Sequence, residues 1–132
     1  MPEVKVLVAG VHKMIGEDKL TVGANITLIR SNINIIVDPG SFVNKDKLLL
    51  ALKNEGLTPN DIQAVILTHS HIDHTTNTFL FPQAKIYWRF IGSNYPGQFQ
   101  KIDQGEVYRF DLFKEKIADD IQIIETLGHS ID

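Results

Sequence analysis

Residues 64–77 read AVILTHSHIDHTTN. The apolar run through Val65, Ile66 and Leu67 has no polar alternation, which predicts a short strand buried on both faces. Immediately after it come His69, His71 and His74, three of the chain's five histidines, with Asp73 between the second and third. Histidines at i and i+2 on an extended segment point the same way, so His69 and His71 can offer two imidazoles to one ion. Asp73 and His74 fall where the chain turns into a short helix and approach the same place from another angle. Zinc suits such donors, and iron and manganese are compatible with them, whereas magnesium and calcium call for mostly oxygen ligands. A lone histidine beside a strand is usually a polar loop residue. Three of them with an interposed aspartate, set against a buried strand, fit a ligand loop better.

Working outward, EVKVLVAGV at the N-terminus sets Val4, Val6 and Val8 against Glu3, Lys5 and Leu7, the period of a strand. The following VHKMIGEDKLTVGA breaks that pattern with glycines and charges. NITLIR and INIIVD read as a hairpin turning at Ser31 and Asn32, so the chain opens as an antiparallel meander. Asp38-Pro39-Gly40 stops the second run. NKDKLLLALKNEG predicts a helix capped by Asn44, with Asp46 in its first turn, Leu48, Leu49 and Leu52 on one face and Gly56 closing it. That face is expected to lie on the sheet. Thr58-Pro59-Asn60-Asp61 carries capping-box chemistry, but only a turn fits before the strand IQAVILT. Beyond the histidines, two helical turns end at Pro82, and AKIYW is a strand. RFIGSNYPGQFQKIDQG is expected to be a loop, and EVYRF and IQIIET further strands. The aromatic residues from Trp88 to Phe99 are read first as core and second as a border of the pocket. The pattern suggests a sheet covered by helices on one face.

With 132 residues the chain fits one domain. A composition of 43% hydrophobic and 22% charged residues is that of a folded protein. A net charge of −3 supplies no positive field of the kind non-specific nucleic-acid binding uses. The absence of cysteine excludes disulfides, thiolate zinc sites and a cysteine nucleophile, leaving nitrogen and oxygen to hold any metal. No apolar run reaches the roughly 18 residues of a membrane helix, and the N-terminus lacks the plan of a signal peptide, so no membrane partner and a cytoplasmic location are expected.

HSHIDH resembles the HxHxDH signature of the metallo-β-lactamase superfamily. VDPG before the helix is similar to that family's aspartate-bearing strand end, and ETLGHS near the C-terminus to its Pro-Gly-His-Thr/Ser element, with Leu127 where proline is usual. The resemblance implies an α/β fold, an αββα sandwich. It implies that His69, His71 and His129 hold one ion and that Asp73 and His74 belong to a neighbouring site. Asp73 would also be the catalytic residue, orienting a metal-bound hydroxide and managing its proton. Asp38 would support the ligand loop by hydrogen bonding rather than bind metal, against the plainer reading of a turn aspartate before Pro39. His12 matches no motif and is read as a surface or loop histidine.

The family's bridging aspartate and final histidine have no counterpart before Asp132, so residues 1–132 are expected to hold about the first half to two thirds of one such domain. Truncation is favoured. A half-domain completed by another copy or another chain, and a degenerate one-metal protein, are the alternatives. A half-sandwich would expose strand edges and an apolar face. The expected function is a metal-dependent hydrolase, with zinc at two sites in a complete domain, attacking an ester, thioester, lactam or phosphodiester bond. The substrate, small molecule or nucleic acid, stays open, since the family includes nucleases. A non-catalytic metal-binding protein is the rival, and a di-iron redox relative fits less well because the cluster keeps all its histidines.

Overall fold

The computed structural model describes residues 1–89, 96–102, 105–109 and 116–124. Among these, strands β1 (Glu3–Val8), β4 (Ile26–Arg30), β5 (Asn34–Val37), β6 (Ala64–Ile66), β7 (Lys85–Arg89), β8 (Pro96–Ile102) and β9 (Gly105–Arg109) form one sheet in the order β1-β4-β5-β6-β7-β8-β9. Its centre, β5-β6-β7, is parallel, and its flanks are antiparallel. Central parallel strands are buried on both faces, and the unbroken apolar run at Ala64 and Val65 satisfies that demand.

Adjacent residues of each central strand face opposite sides. Ile36 and Val65 pack with Ile26, Leu28 and Phe81 under helix α1 (Lys45–Asn54), which contributes Leu48 and Leu52. Leu49, expected on the same face, is only half-buried. Ile35, Ala64 and Tyr87 point the other way, where they meet Ala118, Ile117 and Ile121 of a small hairpin, β10 (Lys116–Ala118) and β11 (Ile121–Gln122). The sheet therefore has a helical cover on one face and the hairpin on the other, rather than helices alone. Val4 and Val6, cross-strand from Ile29 and Thr27 on the sheet's edge strand, are 63% and 53% exposed.

Two segments differ from the expected pattern. Residues 11–23 pair as a second hairpin, β2 (Val11–Met14) with β3 (Leu20–Gly23), inserted between β1 and β4. All four residues of β2 are exposed, so no buried face imposes the alternation that marks a strand. Gly10 closes the base of this hairpin: a Cβ there would lie 2.6 Å from the Gly23 carbonyl oxygen, so the two chains approach this closely only with glycine. The expected loop around Gln98 is instead strand β8, and Trp88 stands within β7. Residues 90–95 lie outside the described residues.

Two further local expectations, the β4–β5 hairpin and the Thr58–Asp61 turn, hold. β4 and β5 turn at Ser31–Ile33, with Ser31 N–H donating to the Ile33 carbonyl at 2.9 Å. The Thr58–Asp61 segment is a single 3-10 turn in which the Asp61 carboxylate accepts from Thr58 N–H and Oγ1–H at 2.7 and 3.0 Å. The cap expected from Asn44 is not made: the residue precedes α1 with a non-extended backbone and without a side-chain cap bond. Among the described residues no helix is long and apolar enough to cross a membrane.

Candidate metal centre

Three segments meet at the carboxyl ends of β5 and β6. The first is Asp38–Ser41, where β5 stops. Asp38 takes φ of 52°, a left-handed conformation that aspartate tolerates better than most side chains, and its N–H donates to the Ile66 carbonyl at 2.9 Å. Gly40 follows at φ 82°, with Ile26 Cδ1 2.7 Å from where a Cβ would stand. The second segment is Thr68–His71, and the third is helix α2 (Ile72–Thr75) with its 3-10 continuation Thr76–Leu80. β6 ends at Ile66, so His69 and His71 do not sit on an extended strand as their i, i+2 spacing suggested. The bend after the strand nonetheless brings the rings together: the His69 centroid lies 4.6 Å from that of His71 and 4.1 Å from that of His74.

Asp38 is the hub, 5% exposed. Its Oδ1 accepts the backbone N–H of Thr68 at 2.8 Å, and its Oδ2 accepts the Thr68 hydroxyl at 2.7 Å. His74 Nδ1 lies 2.8 Å from the same Oδ2. Asp38, His69 and His74 can each place one donor atom within 4.8 Å of the others. Both Asp38 oxygens are already engaged as acceptors, so the carboxylate is placed to orient its neighbours. The other side of His74 turns to Asp73, with Nε2 3.5 Å from Asp73 Oδ2. Two donors bound at about 2.0–2.1 Å in a tetrahedral shell sit about 3.3–3.4 Å apart, so this pair has the spacing of two ligands on one ion. The donor set, imidazole nitrogen and carboxylate oxygen without sulfur, fits a divalent transition metal.

Asn77 was not singled out from the sequence. It is 0% exposed. Its Nδ2 donates to the carbonyls of Pro39 and Ser41 at 3.1 and 2.6 Å, and its N–H to the Gly40 carbonyl at 2.9 Å. Gly40 N–H in turn donates to the His74 carbonyl at 3.1 Å. The turn that carries Asp38 is thereby stitched to the helix that carries Asp73 and His74. The sequence offered no signal of this role, since Asn77 stands among threonines in HTTNT, residues 74–78, ahead of the apolar Phe79, Leu80 and Phe81.

An open cleft of about 600 Å³ runs past the site, with His71 and Asp73 on one wall and Val22, Phe42 and Ile72 on its apolar rim. His12 lies on β2, cross-strand from Val22, and is exposed as expected of a surface histidine. His129, with the rest of ETLGHS and Asp132, lies outside the described residues.

A family model described as the metallo-beta-lactamase superfamily matches residues 21–127. The chain is 39% identical over 83 residues to metallo-beta-lactamase domain-containing protein 1 of Xenopus laevis, covering 63% of this chain and 36% of that protein. It is 38% identical over 96 residues to a protein of Methanocaldococcus jannaschii named as a probable metallo-hydrolase, covering 73% of this chain and 42% of that one. A crystal structure of a candidate metallo-beta-lactamase from Thermotoga maritima superposes with a TM-score of 0.58 at 29% identity, over 67% of this chain and 44% of that one. The chain thus spans less than half the length of each of these relatives. The similarity to the Thermotoga structure extends to the mixed α/β architecture, the fold expected from the histidine motif. With a match that runs from β3 past β11 and encloses the whole histidine loop, the chain belongs to the metallo-beta-lactamase superfamily.

Proposed function

We propose that the chain carries the metal-holding portion of a zinc-dependent hydrolase acting on an ester, thioester, lactam or phosphodiester bond. The observation that carries this reading is the grip of one buried carboxylate on the ligand loop: Asp38 holds Thr68 and His74 while Asp73 stands 3.5 Å from the opposite nitrogen of His74. His69 and His71, with His129 assigned by its motif alone, would hold one ion, and Asp73 with His74 part of a second. Zinc, when bound, supplies a Lewis acid that polarises the substrate's oxygen and acidifies water.

The chain's own residues do the rest. Asp38 keeps the His74 ring fixed through Nδ1, so Nε2 faces the Asp73 side of the cleft. Asp73 is the carboxylate best placed to orient an attacking water and take its proton, with the ring of His74 limiting its swing. Val22, Phe42 and Ile72 offer an apolar edge against which a substrate can seat and displace water.

The test is metal analysis after dialysis against zinc, combined with hydrolysis assays on generic ester, thioester, lactam and phosphodiester substrates. Retained zinc that is lost in a His69→Ala/His71→Ala double variant, and zinc-dependent turnover that falls at least about 100-fold in Asp73→Asn, is the expected result. Zinc retention no better than that of the double variant, without metal-dependent turnover, would sink the reading.

A further inference from the structure

We propose that Thr68 is a positioning residue that decides which nitrogen of His69 carries the proton, so that one oxygen, Asp38 Oδ2, sets the tautomer of two imidazoles at once. Thr68 Oγ1 lies 2.7 Å from Asp38 Oδ2 and 2.9 Å from His69 Nδ1. A hydroxyl has one proton to give, and an ionised carboxylate can only accept. The Thr68 proton therefore points at Asp38, and the hydroxyl oxygen can engage the ring only by accepting. His69 Nδ1 must then carry a hydrogen, and in a neutral imidazole the lone pair is left on Nε2. The same logic acts directly on His74, whose Nδ1 lies 2.8 Å from the same oxygen and must donate to it. Both rings are thus given the Nδ1–H form, one by contact with Asp38 and the other through the Thr68 hydroxyl.

The geometry holds Thr68 to this task although its side chain is exposed. Its backbone N–H is fixed 2.8 Å from Asp38 Oδ1 while its hydroxyl is fixed on Oδ2, a two-point grip by one carboxylate. The hydroxyl cannot turn away without giving up a charge-assisted bond. Valine keeps the branched shape and the backbone half of the grip but removes the acceptor facing His69 Nδ1. Serine keeps that acceptor. Because Thr68 is exposed, neither substitution opens a cavity in the core.

What the tautomer is used for rests on the reading of this loop as a metal centre, but the tautomer itself does not. The experiment separates the two. Nitrogen-15 NMR of the histidine rings in the metal-free protein, at a pH where the imidazoles are neutral, should show His69 in the Nδ1–H form. That population should shift toward Nε2–H in Thr68→Val and stay in place in Thr68→Ser. Zinc affinity, measured by competition with a chromophoric chelator, should fall about 10- to 100-fold in Thr68→Val and change by less than about threefold in Thr68→Ser. A wild-type His69 already in the Nε2–H form, or a valine variant matching wild type in both spectrum and affinity, would overturn the proposal. If the spectra change as expected but the wild type holds no zinc, the relay stands and the metal-centre reading fails.

Discussion

The two ends of the parallel strands are built differently. At the carboxyl ends, Asp38, Ser41 and Asn77 are buried polar residues, and the bonds of Asp38 and Asn77 converge on one loop and one short helix. At the amino ends the polar contacts are exposed or half-buried and spread out. Ser31 Oγ meets Asp120, Asp119 N–H donates to Asn32 Oδ1 at 3.0 Å, and Asn34 N–H donates to Gln63 Oε1 at 2.7 Å. Glu55, just beyond α1, takes Lys5 and Arg30 as partners there. Buried polar groups are costly unless every partner is in place, so they persist where geometry must be held. Exposed ones join turns and exchange readily with water. The carboxyl end is where an α/β sheet gathers ligands, and among the described residues it is also where the buried polar side chains gather.

The sharpest way to break this contrast is Asn77→Ala. It strips Pro39 and Ser41 of a buried donor and should cost about 3 kcal/mol in chemical denaturation, with zinc affinity falling alongside. A loss under about 1 kcal/mol would mean that the Asp38 turn is held by something else.

A smaller effect is expected from Glu55 and pH. The Lys5 hydrogen bond, aided by the charges of Lys5 and Arg30 against a desolvation that works the other way, lowers the Glu55 pKa below its ordinary value. A carboxylate with a depressed folded pKa stabilises the fold fully above the unfolded value, about 4.3, and loses that contribution as pH falls through the folded one. Glu55→Gln should therefore lower stability slightly at neutral pH and flatten the acid limb, so that variant and wild type converge as pH falls below about 4.3, with the difference shrinking in salt. An unchanged acid limb would remove Glu55 from that account.

The smallest effect belongs to Ser31→Ala. Its partner is an exposed turn aspartate, and the change should stay within about 0.5 kcal/mol by thermal melting. A larger loss would show that the amino-end stitches matter as much as the buried network.

The parts of this design that impose a pattern on the sequence were the parts that could be read in it. β6 was legible because burial on both faces forces an unbroken apolar run, and the histidine loop because three imidazoles and a carboxylate crowd into six positions. The β2–β3 hairpin was not, since neither face of β2 is buried and charged residues serve as well there as any others. β8 was hidden by glycine and proline, which in this chain tolerate a flanking antiparallel strand. Spacing placed His69 and His71 together correctly but on the wrong element, a bend instead of a strand. The roles of Thr68 and Asn77 depend on partners some thirty to forty positions earlier, at Asp38, Pro39 and Ser41, and local pattern carries no information about such distances.

Position 38 admits an alphabet of one letter. Its φ of 52° disfavours branched and bulky side chains, so glycine, asparagine and aspartate are the residues that reach it at low cost. Glycine would supply the backbone but no acceptor. Asparagine would supply the backbone and one acceptor, but with its oxygen on Thr68 N–H its amide nitrogen would donate where Oδ2 accepts, forcing the Thr68 hydroxyl and His74 Nδ1 into the opposite roles. Glutamate would carry the charge one methylene too far. The conformation of the chain and the chemistry of the site thus impose separate filters on the same residue, and aspartate alone passes both.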